Sequence, residues 1–71
     1  MNELFIKIAA ALWGDRWSGY VVKTGILTKQ GVARIILGDE PGRNEIRTLA
    51  KVGRATLEKI EADIHELEMM L

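Results

Sequence analysis

Thr28, Lys29, Gln30, Ala33 and Arg34 carry side chains whose groups match the edges of DNA base pairs. Gln can form two hydrogen bonds with adenine, Lys and Arg favour guanine, and a thymine methyl can sit against Ala33 or the methyl of Thr28. Each good bidentate contact discriminates between bases by roughly 1–3 kcal/mol. Such residues read sequence only when a helix carries them into the major groove, which is about 12 Å wide. That role selects polar residues at the start of the helix and apolar ones on its back. Thr28, Lys29, Gln30 and Arg34 form the front, and Leu27, Val32 and Ile35 the back.

A second set is basic. Arg43, Arg47, Lys51 and Arg54 follow at helical steps beside an apolar seam. They can track phosphates, whose contacts supply affinity without sequence information. A solvated face paired with Glu45 and Glu58 explains them equally well. Arg16, Ser18, Tyr20 and Lys23 can hold the backbone on the other side.

Catalysis finds no residues. There is no cysteine, and His65 has no second histidine to form a base-orienting pair. Glu61, Asp63, Glu66 and Glu68 fit a solvated face better than an acid/base pair. Without cysteine, and with one histidine, the usual zinc sites are excluded, and no cofactor, metal or small-molecule ligand is expected. Trp13 and Trp17 fit core or interface anchors rather than stacking platforms.

The elements that must position these groups read as all-α, a small domain of four helices spanning 1–71. Asn2 to Trp13 forms the first helix, with Asn2 as cap, Glu3 in the first turn and Gly14 as stop. Its apolar residues run nearly all round, which predicts a buried helix. Ser18 caps a second helix to about Thr24, and Gly25 ends it. Thr28 opens the third, its hydroxyl accepting from Gln30 or Gly31, with Val32, Ile35 and Ile36 inward. Gly38 to Gly42 is a turn containing Pro41. Asn44 caps the last helix, where Ile46, Leu49, Gly53, Leu57, Ile60, Ile64, Leu67 and Leu71 follow at steps of three and four. At Gly53 a bend and a close approach by a neighbour are both open.

Formal net charge is zero, but it is unevenly spread. Basic residues outnumber acidic ones from Asp15 to Val52, and from Ile60 onward every Asp or Glu stands without a Lys or Arg. At 71 residues the core is marginal, worth about 3–5 kcal/mol, and without disulfides a second subunit is the expected supplement. The seam can fold back on the first three helices or pair with a second copy. The expectation is some of each, with 43–71 as dimerisation helix and Leu57, Ile60, Ile64, Leu67 and Leu71 in a two-fold interface. No segment has the features of a signal peptide or a membrane span, so a cytoplasmic chain is expected.

Leu12-Trp-Gly-Asp-Arg-Trp17, Thr28-Lys-Gln-Gly-Val-Ala-Arg34 and Gly38-Asp-Glu-Pro41 resemble the small phage and prophage regulators of the Cro/CI-like helix-turn-helix family. Size and the long tail helix also resemble the anti-CRISPR-associated regulators, which repress their own operons as dimers. The resemblance covers about residues 12 to 42. Two residues depart from it: Ile26 stands where the family has a turn glycine, with Gly25 one earlier, and Val22 replaces a small residue. The resemblance implies a dimeric repressor of a phage or mobile-element operon binding an inverted repeat in double-stranded DNA, with half-sites ~34 Å apart. The rival expectation is a protein-binding module, such as a phage antagonist of a host protein, working through the tail seam.

Overall fold

In the computed structural model, which describes all of residues 1–71, the chain is helical and has no strand. The helices are α1 (Asn2–Trp13), α2 (Trp17–Lys23), α3 (Lys29–Ile36) and α4 (Arg43–Met69), with a 3-10 turn over Gly14–Arg16 between α1 and α2. No helix is long and apolar enough to cross a membrane.

The core draws on every helix. Phe5 and Ala9 of α1, Val21 of α2, Ile26 and Leu27 of the connecting turn, Val32 and Ile35 of α3, and Leu49 of α4 are buried together. Trp13 and Trp17 pack half-buried against this cluster. The Trp13 ring also stacks on Tyr20, with centroids 5.8 Å apart, and so clamps the end of α1 onto α2. Burial of α1 is one-sided, contrary to its nearly continuous apolar sequence: Leu4 and Ile8 are exposed, because α4 and α2 cover only part of its circumference.

Two glycines make the turns that set α3. Gly25 has φ +78°, with its N–H donating to Val22 O and the Ile26 N–H to Val21 O. Gly38 has φ +108° and repeats the pattern on Ile35 O and Arg34 O. Both are left-handed helix ends that satisfy otherwise orphaned carbonyls, in a conformation glycine adopts without strain. The turn glycine displaced to position 25 is therefore the residue that ends α2.

Capping differs from expectation at three places. Asn2 does not cap α1. Its amide instead donates to Ile35 O at 2.6 Å and Asp39 O at 2.7 Å, tying the start of α1 to the end of α3. Ser18 lies inside α2 rather than at its cap, because the 3-10 turn lets the helix begin at Trp17. Asn44 lies inside α4, whose cap is Gly42; the Glu45 carboxylate reaches back to accept from the Gly42 N–H at 2.7 Å. The Thr28 hydroxyl does cap α3, accepting from the Gly31 N–H at 3.0 Å.

α4 runs unbroken through Gly53, which is buried. A Cβ there would lie 3.5 Å from Leu12, an ordinary contact, so the approach of Leu12 does not itself require glycine. Beyond Thr56 the helix leaves the body of the protein, and no residue from Leu57 onward is buried. The molecule is drawn out to 46 × 22 × 20 Å, with a radius of gyration of 13.9 Å against about 11 Å for a compact chain of this length.

Candidate nucleic-acid interface

α3 is short, and its burial stripe is narrow. Val32 and Ile35 face the core with Gly31 beside them; Ile36, expected inward, is 61% exposed. At about 100° per residue Ile36 falls outside the arc set by Val32 and Ile35. The opposite arc presents Lys29, Gln30 and Ala33 to solvent, with Thr28 exposed just ahead of them. Leu37, just past the helix, is 85% exposed.

The structure brings some predicted site residues together. Lys29 and Val32 of α3 line one shallow groove with Ser18, Gly19 and Val22 of α2. The start of α2 and the start of α3 thus form one surface. Lys23 projects from the exposed side of α2, one turn on from Gly19, and Arg16 is exposed in the turn before the helix. Tyr20 spends one ring face on Trp13 and remains partly exposed.

It separates others. Arg34 follows Gln30 by one turn on the exposed side of α3, about 140° round the helix from Lys29, and lines a small pocket with Gly31, Ile35, Asp39, Glu40 and Glu45. Nearby carboxylates offset its positive charge toward a phosphate or base. The basic stripe on α4 is turned away as well. Glu45 faces α3, and Arg43 and Arg47 lie roughly 160° round α4 from it. Arg43, Arg47, Lys51 and Arg54 are all exposed, with no ion pair to Glu45 or Glu58. Leu57, Ile60, Ile64 and Leu67 form an exposed apolar row on the protruding half of the helix, while Leu71, expected to extend the row, is exposed two residues past the helix end because α4 stops at Met69.

Residues missed from sequence also matter here. Asn2 braces the end of α3, and the cue, an amide far away in sequence, carries no periodic signal. The groove between α1 and α4, lined by Ile8, Ala11, Leu12, Ala50, Gly53 and Leu57 among others, was hidden because α1 reads as buried. No group of three or more metal-ligating side chains comes together.

Comparison with known proteins finds no matching family, no matching curated protein and no matching solved structure.

Proposed function

We propose that the chain is a sequence-specific DNA-binding protein of the helix-turn-helix class, acting as a dimeric repressor by occupying a promoter inverted repeat. One observation carries this. A Thr28-capped, eight-residue helix is anchored by Val32 and Ile35 and holds its polar first turn in solvent beside the start of α2. Lys29, Gln30, Ala33 and the Thr28 methyl are then the base-reading groups. Ser18, Arg16 and Lys23 flank them toward the phosphates. Arg34 contributes less than its charge suggests, since Asp39, Glu40 and Glu45 line the same pocket and lower the local potential. Arg43, Arg47 and Lys51 lie off this surface and serve another purpose. The apolar row from Leu57 to Leu67 supplies the dimer.

The same apolar row is the observation that favours the second reading, a module that binds another protein through α4. Salt separates the two. A DNA-binding protein holds DNA with a steep loss of affinity as salt rises, whereas a module shows none and tolerates joint replacement of Lys29 and Gln30. Gel shifts with the region upstream of the protein's own gene test the proposal: a specific complex supports it, and no complex at low salt sinks it.

A further inference from the structure

We propose that a second copy of this chain pairs with the first antiparallel, its tail filling the groove between α1 and α4. This rests on the dimer in the proposed function and adds its direction, register and seat.

Surface area calls for a large partner. The chain exposes 5796 Å². A compact chain of 8.0 kDa exposes about 4,450 Å², leaving an excess of roughly 1,300 Å² where a standard interface takes about 800 Å² per partner. Most exposed large apolar residues lie along the protruding half of α4 and the groove that continues it, with Leu4 and Ile8 of α1 forming the other wall.

Charge sets the direction. Along α4 the free apolar seam is flanked by Arg47, Arg54, Glu61 and Glu68, spaced seven apart. Antiparallel pairing sets Arg47 against the partner's Glu68 and Arg54 against the partner's Glu61, and two-fold symmetry repeats both pairs. Parallel pairing sets Asp63 against the partner's Glu68, a like-charge contact. Arg54 already lines the groove, so its position fits a charge at the rim.

Shape sets the register. With Arg54 opposite the partner's Glu61, Leu57 meets the partner's Ile60, Ala50 meets the partner's Leu67, and Ile46 faces the end of the partner's α4. Ala11, Ala50 and Gly53 line the groove and leave room there for the large residues of the tail. The basic stripe turned away from α3 and the acidic tail become two halves of one contact.

Single cysteines test the direction in a chain that has none. Spin labels at Ala55→Cys, Ala62→Cys and Met69→Cys, all on the exposed face, report separations between the two copies. In the antiparallel dimer the axial offset is roughly 10 Å at 55 and at 62 and about 32 Å at 69, at ~1.5 Å per residue. Equal distances at all three positions overturn the arrangement and leave a dimer standing. A chain that sediments as a monomer at tens of micromolar overturns the dimer as well; DNA binding is read separately by gel shift. Arg54→Glu or Glu61→Arg alone should weaken the dimer roughly tenfold, and the double exchange should restore it. Failure of that rescue contradicts the Arg54–Glu61 pairing.

Discussion

Replacing Asn2 distinguishes two roles for one side chain. As a helix cap it would accept a hydrogen bond, and Asp would serve as well or better near the positive end of α1. In the structure it donates, to Ile35 O and Asp39 O at 2.6 and 2.7 Å. A net hydrogen bond is worth about 0.5–1.5 kcal/mol, so removing two half-exposed ones costs about 1–2 kcal/mol. In a domain of this size that lowers Tm by roughly 5–15 °C. Asn2→Asp keeps the shape but removes the donors, and brings a negative charge beside Asp39 and Glu40, the latter already 3.6 Å from the chain's own amino group. Asn2→Asp should therefore lose at least as much as Asn2→Ala. Thermal melts at pH 7 and one fixed protein concentration measure this, since a dimer's Tm depends on concentration. An Asp variant as stable as the parent would refute the donor role and restore the cap. Because the bonds anchor the end of α3, both variants should also weaken specific DNA binding.

Gly53→Ala should stabilise the protein by up to about 1 kcal/mol in urea melts, since alanine favours helix and its Cβ would meet Leu12 only in ordinary contact. Gly25→Ala should destabilise it by roughly 1–2 kcal/mol by the same measurement, because the cost lies in the backbone at φ +78° with nothing crowding the site. Gln30→Ala should relax sequence choice in competition gel shifts. Lys23→Ala should weaken all DNA sequences alike and lower the salt slope by about 1, whereas Arg47→Ala, facing away from α3, should leave that slope unchanged.

Local signals in the sequence carried the helices well. Asn2 to Trp13, the Thr28 cap and the glycine at 38 are visible because each depends on residues within one turn. The failures share a different cause. Asn2 reads as a cap in the sequence because its true partners lie 33 and 37 residues away, where no periodicity reaches. Asn44 lost its capping place to Glu45, whose longer side chain reaches the Gly42 N–H; the Gly42-x-x-Glu45 spacing was the available clue. Of the site, Lys29 and Ser18 come together, Arg34 stays beside Gln30 but about 140° round α3 from Lys29, and Arg47 faces away. A helical wheel gives a residue's place on its own helix. How α4 docks beside α3 depends on the Gly38–Gly42 turn and the packing of α1, which only the assembled fold displays.

DNA binding by the first turn of α3 is read by titrating the full chain into labelled DNA from upstream of its own gene. A complex that withstands excess nonspecific DNA, weakens steeply with salt and loses its sequence preference in the joint Lys29→Ala, Gln30→Ala variant is the expected result. Absence of any complex at low salt, or a complex indifferent to those two substitutions, would contradict it.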